Sequence, residues 1–218
     1  MPAANHAVSV AYAEAGTCPA GTVPTTWLSD DMESGSGWTH SAAQGVDAWV
    51  WTAARYTSPN NSWHGGAGFT DSTQSDQSLV SPAVSLPAAA SNPVLSYYNW
   101  RDLEANGALA CWDGAVLEYT TNGGTNWLEI PATSFLSDAY DHVITTTANP
   151  VREDRGVDVD AWCGIQDWTL TEVDLSGLEG STLQFRFRIG TDNSIRREGW
   201  YIDDVVVAGC ALILKKSW

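Results

Sequence analysis

REGWYIDDVVVAGC, residues 197–210, carries two adjacent carboxylates through an otherwise apolar run that is typical of a β-strand. Side chains of a strand alternate between its two faces. Strict alternation predicts that Trp200 and Asp204 share one face, and that Tyr201 and Asp203 share the other. Whichever face is buried therefore buries a carboxylate, which then needs a proton, hydrogen bonds, a cationic side chain or a metal ion.

Strand-like runs recur along the rest of the chain, separated by Gly, Pro, Asn, Ser and Asp. LQFRFRIG (183–190) alternates apolar and polar residues, as in an antiparallel sheet with one buried and one solvated face. LEYTTNGGTNWLEI (117–130) predicts a hairpin that turns at residues 122–124. Strands are predicted near 26–30, 47–52, 78–85, 94–100, 114–120, 126–130, 168–174, 182–190 and 199–208. Many short strands without helical crossovers favour an all-β fold, a two-sheet antiparallel β-sandwich of jelly-roll type.

The remaining segments suggest how the chain is organised around this sandwich. We expect residues 1–24 to form an N-terminal arm, residues 25–210 to form the jelly-roll domain and residues 211–218 to form a tail. Residues 135–167, rich in Asp and Arg, form a long insertion within the domain. Insertions of that length are usually functional or ordered by a metal ion.

The four cysteines are widely spaced and form no CxxC motif, which favours two disulfides over a zinc site. Three pairings are possible. We prefer Cys18 with Cys210 and Cys111 with Cys163, because the first pair would fasten the N-terminal arm to the last strand. Disulfides favour an oxidising compartment, so we expect a secreted or cell-surface protein.

The charge of the chain restricts its partners. Ten Lys and Arg residues against 26 Asp and Glu give a formal net charge of −16. Such a field repels phosphate backbones and anionic lipids, so we expect no nucleic-acid and no membrane partner. No apolar run approaches the roughly 20 residues that a membrane span needs.

Motifs for catalysis are missing from the sequence. There is no GxSxG or HExxH motif, and the four histidines lie in unrelated contexts. Carboxylate pairs such as Glu118 with Glu129, or Asp158 with Asp160, are expected by chance among 26 acidic residues. We therefore expect a protein without catalysis of its own.

Six motifs in order resemble the MAM-like jelly-roll domains of secreted bacterial proteins, notably those appended to metallopeptidases of the immune inhibitor A type. The similarity covers about residues 26–210. The motifs are SDDMESGSGW (29–38), SLVSPAVSLP (78–87), LSYYNW (95–100), DGAVLEYTTNGGTNW (113–127), WTLTEVDLSGLEGSTLQFRFRIGTD (168–192) and GWYIDDVVV (199–207). The resemblance implies a bacterial extracellular or periplasmic protein and, as a possible partner, a protease catalytic domain.

The resemblance also implies a structural calcium ion between the first and last strands. The matching positions are Asp31 and Glu33 in DDMES and Asp203 or Asp204 in YIDD, with Asp76 as a further ligand. Calcium takes six to eight hard oxygens, which carboxylates supply. The alternative is that backbone amides, or the arginines at positions 186 and 188 of a neighbouring strand, satisfy the YIDD acids.

Aromatic residues are in excess, with 12 Trp in 218 residues. Exposed Trp and Tyr rings can stack on sugar rings. The candidates for ligand contact are Trp49, Trp51, Trp63, Tyr98 and Trp100. We thus expect a monomeric, calcium-stabilised binding or accessory module for a carbohydrate or protein surface; the alternative is a purely structural domain of a secreted metallopeptidase.

Overall fold

The structure is a computed structural model, and it describes residues 18–35, 37–66 and 74–213 of the chain. Within these residues the fold is almost entirely β, as predicted. The strands are β1 Thr22–Asp30, β2 Thr39–Gln44, β3 Val50–Thr52, β4 Ser62–Gly65, β5 Ser75–Val80, β6 Val84–Ser85, β7 Ser91–Leu103, β8 Ala105–Asn106, β9 Ala110–Cys111, β10 Gly114–Thr120, β11 Leu128–Glu129, β12 Phe135–Ser137, β13 His142–Ile144, β14 Val159–Ala161, β15 Gly164–Asp174, β16 Thr182–Thr191 and β17 Gly199–Leu212. One α-helix, α1, spans Pro150–Arg155, and a 3-10 turn spans Ala132–Ser134.

Two antiparallel sheets form the sandwich. The larger has the order β12-β15-β7-β17-β4-β3, and β1 also pairs with β17. The smaller has the order β11-β10-β16-β5-β2, and β6 also pairs with β16. Their inner faces meet in one apolar core, where the ring centroids of Trp200 (β17) and Phe187 (β16) lie 5.6 Å apart. The predicted two-sheet sandwich is confirmed.

The last strand, β17, organises the larger sheet because it pairs with β1, β4 and β7. Its inner face contributes Trp200 and Ile202 to the core. The preferred disulfide Cys18–Cys210 is present, and it joins the residues before β1 to the end of β17. Residues 1–17 of the expected arm and 214–218 of the expected tail lie outside the described residues.

A bulge interrupts β17 where the two carboxylates stand. Asp204 has φ 51°, in the left-handed region, and the pairing with β7 shifts register between Asp203 and Val206. After the bulge, Val205 and Val207 face the core. Strict alternation along this strand is therefore wrong: Asp204 does not share a face with Trp200, because one residue is added between the two halves of the strand.

The segment 135–167 is ordered by strands and a disulfide. A small sheet with the order β14-β13-β9-β8 lies beside the sandwich, and the predicted disulfide Cys111–Cys163 is present. Helix α1 is capped at its start by Asn149, whose side chain accepts a hydrogen bond from the amide of Val151, and at its end by Gly156 with φ 68°. No helix in the described part of the chain is long and apolar enough to cross a membrane.

Helix α1 covers part of the outer face of β16, which the alternation of LQFRFRIG predicts to be solvated. Arg188 is only 5% exposed there. Its guanidinium binds both carboxylate oxygens of Asp76 at 2.8 Å, and it also binds Asp154 on the helix. The apolar face of β16 is buried as predicted, but the opposite face is closed by a buried ion-pair network.

Candidate functional site

The outer face of the larger sheet carries a row of aromatic side chains. Three neighbouring strands place His64 (β4), Tyr201 (β17) and Trp100 (β7) side by side, since Tyr201 pairs directly with both others. The imidazole stacks on the Tyr201 ring with centroids 3.9 Å apart. The rings of Trp100 and Trp168 meet that of Tyr201 edge-on, at 5.6 and 6.3 Å. None of these four belongs to the central core.

An ion pair lies over this row. The guanidinium of Arg55, in the β3–β4 connection, lies 4.0 Å from the centroid of the Trp100 ring. Its Nη2 donates to Glu198 Oε2 at 2.9 Å, and its Nε donates to Glu198 Oε1. The Tyr201 hydroxyl also donates to Glu198. The Arg55 and Glu198 side chains remain 40% and 35% exposed, so the pair forms the upper surface of the site.

The electrostatics of the row follow from burial and from this ion pair. Burial lowers the pKa of His64, and its Nε2 lies 2.7 Å from the carbonyl oxygen of Glu198. Because a carbonyl oxygen only accepts, Nε2 carries the proton. Burial, with the Glu198 charge, raises the pKa of Tyr201 to about 12. The Arg55 hydrogen bond lowers the pKa of Glu198, which therefore stays ionised and paired.

An acidic cluster, formed by Asp203 and Asp204 with Asp31 and Glu33, adjoins the row. Asp203 pairs directly with Tyr98 on β7, the strand that also carries Trp100. Asp203 Oδ2 accepts the amides of Thr57 and Ser58 at 2.6 and 3.3 Å, and Thr57 Oγ1 lies 2.8 Å from Asp204 Oδ2. The acidic cluster thus holds the β3–β4 connection a few residues beyond Arg55.

The acids of the DDMES segment, Asp31 and Glu33, which follow β1, also contact the β3–β4 connection. Glu33 Oε1 accepts the amides of Asn60 and Asn61, and Ser58 Oγ donates to the Asp31 carbonyl oxygen at 3.2 Å. Asp31 and Glu33 both raise the pKa of Asp204 through their charge, after the larger effect of burial. Asp31 and Glu33 therefore lie on the same side of this connection as the YIDD pair and influence Asp204 through their charge.

Burial and the charge of Asp204 raise the pKa of Asp203 to about 8. Backbone amides donate hydrogen bonds to the Asp203 carboxylate. This agrees with one part of the alternative to calcium, in which amides or arginines satisfy the YIDD acids. The arginine part of that interpretation is wrong: Arg186 binds Glu118, and Arg188 binds Asp76, both on the other sheet. No ion pair joins a Lys or Arg side chain to these four acids in the part of the chain that the structure describes.

Asp76 lies apart from this cluster. It belongs to β5 in the smaller sheet, is 6% exposed, and is bound by Arg188 through both oxygens. The structure does not bring it to the YIDD acids, because the strand that carries it pairs with β16 and β2 rather than with β17.

Of the five aromatic residues predicted to contact a ligand, two lie in the core, two on the outer face and one at an edge strand. Trp49 and Trp63 lie in the core, 1% and 5% exposed, where a ligand does not reach their rings. The Trp49 ring packs so closely on Gly65 that a Cβ there would lie 2.4 Å from it. Tyr98 and Trp100 lie on the outer face; Tyr98 is half-buried, and Trp100 is beneath Arg55.

Trp51 is 43% exposed at the edge strand β3. Its Nε1 donates to the Met32 carbonyl oxygen at 2.6 Å, and its ring packs against Gly35. It therefore lies beside the DDMES segment rather than beside Trp49. This position keeps it available for contact with a partner, at the margin of the acidic cluster.

Four residues of the site were not predicted from the sequence: Arg55, His64, Glu198 and Tyr201. Arg55 and Glu198 are 143 residues apart, and no local pattern pairs them. Tyr201 was detectable, because alternation from the core residue Trp200 places it on the outer face. Trp168 lies half-buried on that face because the pairing of β15 with β7 shifts register between Gln166 and Thr169.

The carboxylate pair Glu118 and Glu129 lies directly across neighbouring strands. Arg155 binds both side chains, and Glu118 also accepts from Arg186 and Arg188. These bonds account for the pairing of the two acids as part of the ion network beneath α1.

No protein-family model matches the chain. A segment of 41 residues is 51% identical to part of Bacillopeptidase F from Bacillus subtilis (strain 168). This match spans 19% of the chain and 3% of the length of the Bacillus protein.

Several solved structures are similar at low identity. The K3 cleaved adhesin domain of Lys-gingipain from Porphyromonas gingivalis w83 is 18% identical over 85% of this chain and 98% of its own, with a TM-score of 0.48. The module TmCBM61, solved with β-1,4-galactotriose, is 14% identical over 84% and 97%, with a TM-score of 0.47. These similarities carry nothing about ligand or activity.

Proposed function

We propose that this chain is a non-catalytic extracellular binding module that recognises a neutral glycan on the outer face of its larger sheet. The observation that carries the proposal is the aromatic row on this face, in which Trp168 is half-buried and His64, Tyr201 and Trp100 are 8%, 2% and 8% exposed and form its base. A sandwich buries its inner faces and commonly leaves its outer faces to water. Aromatic rings clustered on an outer face, beneath an exposed ion pair, are not needed to fill the core.

The chemistry of this face suits a sugar. The half-buried rings of Tyr98 and Trp168 offer flat apolar surfaces of the kind that binding sites combine with a few polar groups. Arg55 supplies N–H donors and Glu198 supplies acceptor oxygens, which together match the hydroxyls of a glycan. The net charge of −16 favours a neutral glycan over a sulfated or uronic one.

We further propose that a calcium ion bound by Asp31, Glu33, Asp203 and Asp204 stabilises the module. Support comes from the contacts that all four acids make with the β3–β4 connection, and from the raised pKa of both buried YIDD acids. Carboxylates are the hard ligands that calcium prefers. Backbone carbonyls or water would have to complete the shell, because in the described residues no three of these acids bring their oxygens within 4.8 Å of one another.

This ion would act on the binding face through the β3–β4 connection. Thr57 and Ser58 are held by the YIDD acids, while Arg55 in the same connection lies over Trp100. Neutralising the acids would favour the ordered connection and keep Arg55 paired with Glu198. Calcium would then be structural, and it would support recognition without touching the glycan.

A second candidate is a structural accessory domain of a secreted peptidase. The local match to Bacillopeptidase F supports it, and the two disulfides favour an extracellular location for either candidate. Such a domain would orient a catalytic neighbour and bind no glycan. The two candidates share the calcium ion and differ in the ligand.

A panel of neutral polysaccharides, followed by Trp fluorescence and affinity electrophoresis, tests the binding function. The expected result is binding by the wild type that the double substitution Tyr98→Ala and Trp168→Ala abolishes. Trp127→Ala is the matched control, because Trp127 is a half-buried ring beneath Arg186 on the other sheet. No binding across the panel, or equal loss in the control, would remove the glycan proposal and favour the structural role.

Thermal unfolding in EDTA and in restored calcium tests the ion. The expected result is a midpoint that falls in EDTA and recovers with calcium, and a smaller response in Asp204→Asn. Asparagine tolerates the left-handed conformation of that residue, so the substitution removes the charge with little backbone strain. A response identical to that of the wild type would show that the bound amides alone satisfy these acids.

A further inference from the structure

Three acidic side chains far from the DDMES segment in sequence meet at one end of the sandwich. Glu104 follows β7, Asp113 precedes β10, and Asp192 follows β16. One carboxylate oxygen from each lies within 4.8 Å of the other two. Their exposed fractions are 7%, 2% and 6%, so all three are buried. In the described residues this is the only group of three acids that meets that distance.

Hydrogen bonds from backbone amides hold the three acids near one another. The amides of Trp112 and Asp113 both donate to the Glu104 carbonyl oxygen, at 2.9 and 3.0 Å. The amide of Asp192 donates to Asp113 Oδ1 at 2.9 Å. These bonds hold the ends of β7, β10 and β16 together, so the carboxylates converge whether or not their charges are compensated.

The hydrogen bonds leave one buried oxygen without a partner. Asp192 Oδ1 accepts the amide and the hydroxyl of Ser194, at 2.7 and 2.9 Å. By contrast, Glu104 Oε2 is fully enclosed and accepts no hydrogen bond. An enclosed carboxylate oxygen without a donor is costly, and it is rare in folded proteins. Its position in a triad of acids indicates that a cation supplies the missing interaction.

The nearby arginines do not supply it fully. Arg197 acts on Glu104 and Arg196 acts on Asp113, and each lowers the pKa of its acid. Even so, burial and the charge of Asp192 raise the pKa of Glu104. Burial and the charges of the other two acids raise the pKa of Asp113 to about 7. The short spacing of the three carboxylates, with one oxygen from each within 4.8 Å of the other two, leaves a repulsion that a bound cation or a proton would relieve.

We propose that Glu104, Asp113 and Asp192 form a binding site for a second calcium ion, at the end of the sandwich where β7, β10 and β16 meet. Three carboxylates with loop carbonyls give the hard, oxygen-rich shell that calcium takes, whereas magnesium usually keeps several waters and uses one or two carboxylates. The ion would fasten the 104–113 connection, which also carries the Cys111–Cys163 disulfide, to the β16–β17 connection. The site is independent of the Asp31–Asp204 cluster and of any glycan.

Calcium counting by equilibrium dialysis, after removal of metal with chelator, tests the site on the whole chain. We expect Asp113→Asn to bind one ion fewer than the wild type, while Asp204→Asn keeps this ion. The amide side chain introduced at position 113 would retain the oxygen that accepts the Asp192 amide, so the fold is preserved. Glu153→Gln, at an exposed position on α1, removes the same charge and should leave the count unchanged.

Thermal unfolding gives a second test, because the expected effect of Asp113→Asn on the melting temperature differs between EDTA and calcium. In EDTA, Asp113→Asn should melt no lower than the wild type, because it relieves the repulsion of the triad. When calcium is present at roughly a thousand times its dissociation constant, this site should raise the melting temperature of the wild type by on the order of 10 °C. Asp113→Asn should lack that rise. Equal calcium counts and equal calcium responses in wild type and Asp113→Asn would overturn the proposal and show that a proton, not a metal ion, neutralises the triad.

Discussion

The Arg55 guanidinium lies 4.0 Å from the centre of the Trp100 ring and is held there by Glu198. This pair joins a long connection to the middle of a sheet, since Arg55 follows the edge strand β3 and Trp100 lies on β7. It places a charged, half-exposed surface over rings that would otherwise face water. Binding and stability should therefore depend on Arg55 to different degrees.

Arg55→Ala should weaken glycan binding at least tenfold while lowering the free energy of unfolding by only about 1 kcal/mol. Exposed cation–π contacts and surface ion pairs each contribute about that much or less. Titration calorimetry with a bound glycan and chemical unfolding measure the two quantities. Arg186→Ala removes the equivalent contact over Trp127 on the other sheet and should leave binding intact. Loss of binding only in step with unfolding would mean that Arg55 has a structural role alone.

The two tryptophans of DAWVW should behave differently when each is replaced by Ala. Trp49→Ala empties a core position and should cost about 3–5 kcal/mol of stability. Trp51 is 43% exposed and retains one hydrogen bond, so Trp51→Ala should cost about 1 kcal/mol. Urea unfolding of both variants checks this contrast. Similar costs would contradict the placement of Trp49 inside and Trp51 outside.

The alternation of apolar and polar residues predicted the main strands, because this alternation follows from the pleated backbone of each strand by itself. LQFRFRIG places Phe185 and Phe187 in the core as expected, and β7, β10 and β17 lie where the apolar runs are. The short strands β2 and β4 were missed. THSAAQ in β2 carries only one residue that is not exposed, so it has no apolar face to detect. β4, SWHG, is too short to show a period.

The candidate site was predictable only in part, for a physical reason. Asp31 lies near Asp204 because Asp30, at the end of the first strand, pairs with Val205 in the last, and sequence order with a family pattern can suggest that. The Glu104 triad and the Arg55–Glu198 pair depend on which strand ends and connections converge in space. Topology decides that convergence, and one sequence does not encode it locally. The bulge at Asp204 likewise depends on pairing with β7 rather than on the residue itself.

The buried network beneath α1 should be sensitive to loss of its central cation. Arg188→Met leaves Asp76 without its bidentate partner and should cost about 3–5 kcal/mol. Asp76→Asn should cost less, because Arg188 keeps Glu118 and Asp154. Unfolding of both variants in calcium and in EDTA measures these costs. The calcium response should be unchanged in Asp76→Asn; a reduced response would restore Asp76 as a ligand.

The pH dependence of stability should reveal the buried imidazole of the aromatic row. Burial lowers the pKa of His64; the charge of Glu198 opposes this, the charge of Arg55 adds to it, and Tyr201 stacks on the ring. A lowered pKa means that the folded state binds fewer protons than the unfolded state below about pH 6.5. The contribution of His64 to stability should then decrease as the pH falls from about 6.5, by at most about 1.4 kcal/mol per pH unit.

Glu198 titrates in a separate window, because its lowered pKa makes its contribution disappear only below the ordinary glutamate range. Buried acids also titrate near this range, since the pKa of Asp113 is raised to about 7 and that of Asp203 to about 8. The histidine contribution is therefore measured as the difference between wild type and His64→Gln in chemical unfolding between about pH 5 and 7, in fixed calcium. His64→Gln should flatten the profile in this range while keeping a donor for the Glu198 carbonyl oxygen. An unchanged slope in His64→Gln would show that the imidazole is not held neutral by its burial against Tyr201, and the aromatic row would then be more open to water than its packing indicates.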